Sequence, residues 1–289
     1  MAEHANLAIH PFFDDDSCTW SYVIAAGGEC AIIDPVLGFN RSNGRTCTAI
    51  ADQMLDLIVE RAYTPRWILD THVHADHMTA ADYLRKRLPE ATVAIGAGVT
   101  QLQQQFAGVF NLGAEACTLA RRFDRLLGDE APLKLGPITG RAMSTPGHTP
   151  ACMTYLFGDC AFVGDTMFMP DYGSARCDFP GGDAATLHDS IQRIFALGDE
   201  TRLFMCHDYA PGGREYRYET TVGEQRAHNL HLKDSVSREE FVEMRQERDA
   251  GLAMPALFIP SLQVNVRAGA LPAAEENGMT YLKVPVDAF

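Results

Sequence analysis

Thr71-His72-Val73-His74-Ala75-Asp76-His77 is the stretch on which the fold turns. It directly follows Trp67-Ile68-Leu69-Asp70, an apolar run that reads as a short strand. A strand ending in H-x-H-x-D-H brings three imidazoles and a carboxylate into a few ångströms of space. Imidazole and carboxylate are the usual ligands of zinc and non-haem iron, so the pattern predicts a metal site. A solvated polar loop after a strand is the competing reading, and it gives no reason for three histidines at this spacing.

Three further places carry the same chemistry. In Thr145-Pro146-Gly147-His148-Thr149-Pro150 a histidine sits between glycine and prolines, in a stiff turn suited to a ligand of fixed orientation. In Gly164-Asp165-Thr166 a carboxylate ends the apolar run 161–163; taken alone, such an aspartate is as often a helix cap. Cys206-His207-Asp208-Tyr209 follows another apolar run, 202–205. Together these places hold five of the ten histidines.

Around the motifs the chain alternates strands and helices, which favours an α/β class. The first 35 or so residues read as short strands, with a hairpin signal at Gly27-Gly28-Glu29 between Tyr22-Val23-Ile24-Ala25-Ala26 and Ala31-Ile32-Ile33. The spacing predicts helices over 46–62, 81–87 and 184–197. It predicts strands over 91–95, 153–157, 161–163 and 202–205. A charged, mostly helical region runs from 221 to 252, followed by extended segments at 259–264 and 281–286. The division expected is a metal-bearing core over 1–220 and a helical C-terminal extension over 221–289, packed on the core as one domain.

Composition narrows the function. The chain has 289 residues, 46% hydrophobic and 21% charged, enough for a full core. A formal net charge of −14 argues against binding nucleic acid or an anionic membrane surface. No run is apolar enough for a membrane span, and Met1-Ala2-Glu3-His4-Ala5-Asn6 does not read as a secretory signal, so the expectation is a cytoplasmic protein. None of the eight cysteines forms a C-x-x-C pair, and most are expected to be buried small hydrophobes.

The order H-x-H-x-D-H, P-G-H-T, G-D-T, then a late strand-end histidine resembles the signature of the metallo-β-lactamase superfamily, over residues 8–209. The resemblance implies two mixed β-sheets packed face to face between layers of helices, an αββα sandwich with metal at one edge. That superfamily includes hydrolases, oxidoreductases and nucleases, so the fold does not settle the reaction. Within it, Gly173-Ser174-Ala175-Arg176-Cys177-Asp178-Phe179 is similar to the Gly-x-x-Arg-x-Asp-Phe segment of the persulfide dioxygenases. Glyoxalase II, the related hydrolase, carries Gly-x-x-Arg there without Asp-Phe. His207-Asp208-Tyr209, the run from Glu224 through Arg226 to Asn229, and Glu239-Glu240-Phe241 also look like the dioxygenases. The ending Ile259-Pro260-Ser261-Leu262-Gln263-Val264-Asn265 is similar to that of the bacterial, β-lactamase-like members.

This resemblance implies one Fe(II) per chain, held by His72, His148 and Asp165 with positions left open for oxygen and substrate. It implies oxidation of glutathione persulfide by O2 to sulfite and glutathione, in sulfide detoxification. His74, Asp76, His77 and His207 would support that site through hydrogen bonds. Arg176 would contact a substrate carboxylate, Tyr209 would offer a hydroxyl to the glutathione moiety, and a homodimer is the expected assembly. Two positions depart from the family pattern. His231 stands where Asn-Pro-Arg-Leu would supply arginine, and Cys177 stands where threonine is common. The same side chains would also serve a binuclear zinc thioester hydrolase of the glyoxalase II type, with His72, His74 and His148 on one ion, Asp76, His77 and His207 on the other, and Asp165 between them. A binding protein that kept the fold without catalysis is the reading from a different class.

Overall fold

The structure, a computed structural model, describes residues 7–288; the leading segment Met1 to Asn6 lies outside them. The hairpin forms as the pattern predicts. Thr19–Ala26 and Glu29–Ile33 pair antiparallel about the two-residue turn Gly27-Gly28. Ala8–Asp14 extends the pair on one side. On the other side Thr64–Leu69, Thr92–Gly96 and Arg125–Leu127 add in parallel, giving a six-stranded mixed sheet.

The second sheet also has six strands: Ala131–Leu135, Ile138–Ser144, Met153–Phe157, Cys160–Phe162, Arg202–Phe204 and Glu219–Thr221. All its pairs are antiparallel except Cys160–Phe162 with Arg202–Phe204. A small third sheet joins Val36–Asn40, Arg45–Cys47 and Met78–Thr79.

Three apolar clusters define the layers. Tyr22, Ile24, Ile33 and Leu69 of the first sheet meet Tyr155, Phe157 and Phe162 of the second between the sheets. The outer face of the first sheet is covered by the helices Ala49–Glu60, Val99–Val109 and Phe258–Asn265, through residues such as Met54, Leu102 and Leu262. The outer face of the second is covered by Ala184–Phe195 and Arg238–Asp249, through Leu187, Ile191 and Phe241. The architecture is therefore an αββα sandwich. Each large apolar side chain buried in it contributes about 1.5–3 kcal/mol. Among the described residues, no helix is long and apolar enough to cross a membrane.

The site's place follows from strand direction. Glu29–Ile33 and Thr64–Leu69 are parallel, so their C-terminal ends, carrying Asp34 and the histidine stretch, lie at one edge. Cys160–Phe162 and Arg202–Phe204 are parallel too, and end in the segments of Asp165 and His207. The edges are tied together: Trp20 N donates to Cys206 O at 2.7 Å, and the Tyr22 hydroxyl donates to Met205 O at 2.5 Å.

Several expectations need correcting. The helix read over 46–62 begins only at Ala49, because Arg45–Cys47 pairs as a strand with Val36–Asn40. The segment read as extended over 259–264 is the helix Phe258–Asn265. Leu262 and Val264 alternate with Ser261, Gln263 and Asn265, a strand-like pattern, but all five are buried, so the helix shows no exposed polar face to mark its period. Pro260 sits in its first turn, where its missing N–H costs nothing. The 281–286 segment joins no sheet. The charged 221–252 region is mostly helical as expected, in the two helices Val222–His228 and Arg238–Asp249. Residues 96–144, unassigned from sequence, supply Val99–Val109, a ten-residue 3₁₀ stretch over Gly113–Arg122 and three strands.

Candidate metal centre

The histidine loop leaves the strand Thr64–Leu69 and is pinned at once. Asp34, just past its own strand and in the left-handed region at φ 48°, accepts from Thr71 N at 2.6 Å and from Thr71 Oγ1 at 3.0 Å. The same carboxylate takes a hydrogen bond from His74 Nε2 at 3.0 Å, which turns His74 Nδ1 inward. From the far end of the chain, Asn265 Nδ2 donates to the carbonyls of His74 and His77, both at 2.8 Å. Gly164 and Gly147 permit the close approach of the other motifs. A Cβ on Gly164 (φ 53°) would lie 2.5 Å from Thr71 Oγ1, and one on Gly147 (φ 138°) would lie 2.3 Å from the Leu187 backbone.

Most of the histidines spend one ring nitrogen on the protein. His72 Nδ1 lies 3.0 Å from Thr71 Oγ1, and His148 Nδ1 donates to Arg176 O at 2.7 Å. His77 Nδ1 sits 3.3 Å from Asp76 Oδ1, and His207 Nδ1 sits 3.3 Å from Cys18 O. The other atoms point at one another. His72 Nε2, His74 Nδ1, His77 Nε2, His207 Nε2 and Asp165 Oδ1 are buried without any hydrogen-bond partner. Leaving one such atom unsatisfied costs about 1–3 kcal/mol. Five of them converging in one place is the arrangement of a cation site, not of a core.

Two ligand sets result. His72, His148 and Asp165 form one; His74, Asp76, His77 and His207 form the other. In the first, Asp165 Oδ2 lies 3.7 Å from His72 Nε2 and 3.8 Å from His148 Nε2. Two metal–ligand bonds of about 2.1 Å can span such gaps. In the second, His207 Nε2 lies 3.2 Å from Asp76 Oδ2 and 3.4 Å from Asp165 Oδ1, so Asp165 faces both sets. Burial first, and then neighbouring histidines, hold His72 and His74 well below the usual histidine range, in the neutral form a metal needs. Burial pushes Asp76 up, but His207 and His77 outweigh it and the carboxyl sits well below its ordinary value.

A cavity of about 420 Å³ opens onto the cluster, with His148, Asp165 and Asp76 in its floor. Tyr209 lines it, its ring stacked on His207 at 5.8 Å and tilted against Tyr172 at 4.6 Å. Arg214 bridges Asp208 and Asp171 and so joins the two loops that present these tyrosines. Arg176 also lines the cavity, but its fork is already filled, against the expectation of a free guanidinium for a substrate carboxylate. Nε and Nη2 donate to the two oxygens of Asp178, both at 2.6 Å, and Nη1 donates to Ala253 O at 2.7 Å. The ring of Phe179 lies 4.7 Å beneath it. The Gly-x-x-Arg-x-Asp-Phe segment is therefore a knot, tied to the carbonyl of Ala253, that holds the His148 carbonyl partner in place.

His231 and Cys177 do not line the cavity. His231 is buried behind its wall, with Nδ1 accepting from Ser174 N at 3.0 Å. Burial, with Arg245 and Arg248 adding to it, lowers His231 to about 4. Cys177 packs in the outer cluster, where burial pushes its thiol up. Five of the eight cysteines are buried, and all eight are free thiols.

Asp34, Asn265 and the buried pair Arg245–Asp249 were not singled out from the sequence. The pair clasps the knot: Arg245 Nη2 reaches Asp249 Oδ1 at 2.7 Å, Arg245 Nη1 donates to Ser174 O, and Asp249 Oδ2 accepts from Cys177 N. An Arg and an Asp four apart on a charged helix carry no sequence signal of burial.

Comparison with known proteins agrees with this geometry. A probable metallo-hydrolase of Burkholderia pseudomallei is 49% identical over 98% of this chain and 100% of its own length. Glyoxylase B2 of Dictyostelium discoideum is 44% identical over 99% of each. Persulfide dioxygenase ETHE1 of Mus musculus is 29% identical over 93% of this chain and 91% of its own. The crystal structure of ETHE1 from Myxococcus xanthus superposes with a TM-score of 0.72 at 30% identity, over 91% of this chain and 100% of that one. The family model of the metallo-β-lactamase superfamily matches residues 17–207, from the first hairpin to the last histidine of the cluster, and the chain belongs to that superfamily.

Proposed function

We propose that the protein is a persulfide dioxygenase, with one Fe(II) held by His72, His148 and Asp165. The observation that carries the reading is the ligand set itself. Two imidazoles and one carboxylate meet at one point, with the carboxylate and His148 facing the cavity. Such a set suits non-haem Fe(II) with open positions, and the iron would supply the activation of O2 for attack on sulfur. The likeness to ETHE1 of Myxococcus xanthus and to the mouse persulfide dioxygenase supports the same choice. The balanced reaction is a glutathione persulfide, O2 and water giving glutathione, sulfite and two protons.

The chain's own part is orientation and exclusion of water. Thr71 and the Arg176 carbonyl fix the tautomers of His72 and His148, so that Nε2 of each is the free atom. Tyr209 and Tyr172 wall the floor of the cavity beside His207, and the Tyr209 hydroxyl is a donor there. Burial first, and then Asp76 and Asp165, hold that hydroxyl well above its ordinary value, so it stays protonated.

The decisive experiment is oxygen uptake by protein reconstituted anaerobically with Fe(II), on addition of glutathione persulfide. Uptake matched by sulfite, and abolished in His148→Ala, is the expected result. Iron-loaded protein that takes up no oxygen with this substrate would overturn the reading.

A second reading has its own observation. Asp165 turns one oxygen to each ligand set, as a bridging carboxylate between two zinc ions would, and Glyoxylase B2 is among the relatives. A binuclear thioester hydrolase would bind two zinc ions per chain and cleave a glutathione thioester without oxygen.

A further inference from the structure

We propose that Cys206 gives the second ligand set a sulfur donor, so that the place between Asp165, Cys206 and His207 takes a thiophilic divalent cation of the zinc type. The inference goes beyond the reading above, which fills only the set of His72, His148 and Asp165. One ligand atom from each of Asp165, Cys206 and His207 lies within 4.8 Å of the others. His207 is 0% exposed and Asp165 7%, and His207 Nε2 and Asp165 Oδ1 are buried without a hydrogen-bond partner. These two atoms stand 3.4 Å apart. A tetrahedral ion with bonds of about 2.1 Å holds nitrogen and oxygen donors at about that separation. A thiol beside two such atoms completes a donor set.

The other buried cysteines show what a packed thiol looks like in this protein. Cys30, Cys160 and Cys177 each belong to an apolar cluster. Cys152 is taken up by Thr149, whose N donates to Sγ at 3.3 Å and whose Oγ1 lies 3.1 Å away. Cys206 is buried in none of the three clusters. Its thiol faces carboxylates instead, in hydrogen-bond contact with Asp34 and close to Asp165 and Asp76.

Strand geometry fixes the thiol in place. Arg202–Phe204 runs parallel to Cys160–Phe162, so Cys206 and Asp165 follow neighbouring strand ends on the same edge. The Cys206 carbonyl is held by Trp20 N, and Thr19 bridges to His207. The sulfur then separates the two sets chemically. His72, His148 and Asp165 offer nitrogen and oxygen alone. Cys206 adds a soft donor to the other place, and thiolate with imidazole and carboxylate suits zinc, cobalt(II) or cadmium better than a hard ion. Coordination itself removes the thiol proton, and the carboxylates that oppose a bare thiolate attract the cation.

The probe is cobalt(II), added anaerobically to the chelator-stripped full chain and read by its near-ultraviolet thiolate-to-metal charge-transfer band. The parent should show the band. Cys206→Ser should lose it and keep the visible bands of the remaining cobalt, whereas Cys152→Ser and Cys18→Ser should keep it. In competition with a chelator, Cys206→Ser should hold zinc at this place at least about tenfold more weakly. A parent without the band, or a band that survives Cys206→Ser, would overturn the proposal. Zinc-edge X-ray absorption on the parent needs no variant to fold: a sulfur neighbour at about 2.3 Å is expected, and its absence overturns the proposal equally. Charge transfer without oxygen uptake by the iron-loaded protein on persulfide would sink the dioxygenase reading alone. Uptake with no sulfur on cobalt or zinc would sink this inference alone.

Discussion

The metal cluster and the wall that covers it are both buried and polar, yet they treat their polar atoms in opposite ways. In the cluster, five ring or carboxylate atoms are buried with no partner in the protein. In the wall, Arg245, Asp249, Ser174, His231 and Asn229 satisfy one another through direct hydrogen bonds. Unpartnered buried atoms that converge await a ligand; fully partnered ones are structure. The distinction separates function from scaffold without reference to residue type, since each region contains histidine and aspartate.

The largest test of the contrast is at the cluster. Asp165→Ala should abolish stoichiometric metal binding and reduce turnover by more than about a hundredfold, because it removes the one carboxylate facing both sets. Metal analysis and steady-state rates on the same preparation check it, and the fold should survive, since no protein hydrogen bond is lost.

The wall should respond in the reverse sense. Arg245→Met leaves Asp249 buried without its cation and should cost about 3–5 kcal/mol in denaturant unfolding. Retention of the parent's stability would mean that the wall is not the structural partner the geometry describes.

His231 sharpens the comparison by pH. Its folded value of about 4 lies below its ordinary 6.5, so the unfolded chain binds the proton more readily. Stability from this group is complete above about pH 6.5 and is lost as pH falls towards 4, by about 3 kcal/mol in total. The unfolding free energy of metal-loaded protein, measured from pH 7 to pH 4, should therefore fall less steeply in His231→Gln than in the parent. Identical slopes would refute the assignment.

The smallest expected effect lies at the support beneath the cluster. Asp34→Asn keeps the shape but weakens the acceptor that orients His74, and should lower metal affinity by about 10–100-fold while sparing the wall. Competition with a chelator reads it directly.

Local pattern made much of this legible. H-x-H-x-D-H at a strand end, His148 between prolines, and Asp165 and His207 after apolar runs each declare their place through neighbours a few residues away. Their convergence needed only the superfamily order. The Arg176 fork shows the limit. Arginine in a motif reads as a free ligand group, whereas its occupation depends on Asp178 two residues on and on the carbonyl of Ala253, 77 residues away. The helix over Phe258–Asn265 was misread for a related reason, since burial on nearly every side erases the periodicity that marks a helix.

The sequence by itself determined which side chains can ligate a metal and the order in which strands deliver them, because ligand chemistry and strand ends are local properties. Tertiary structure alone decided which polar groups are free. Asp34 becomes the support of His74, Asn265 the clamp of the histidine loop, and Arg176 a cation already paired, only when distant segments meet. Whether a charge is spent depends on partners far away in the chain, and one-dimensional spacing does not record them.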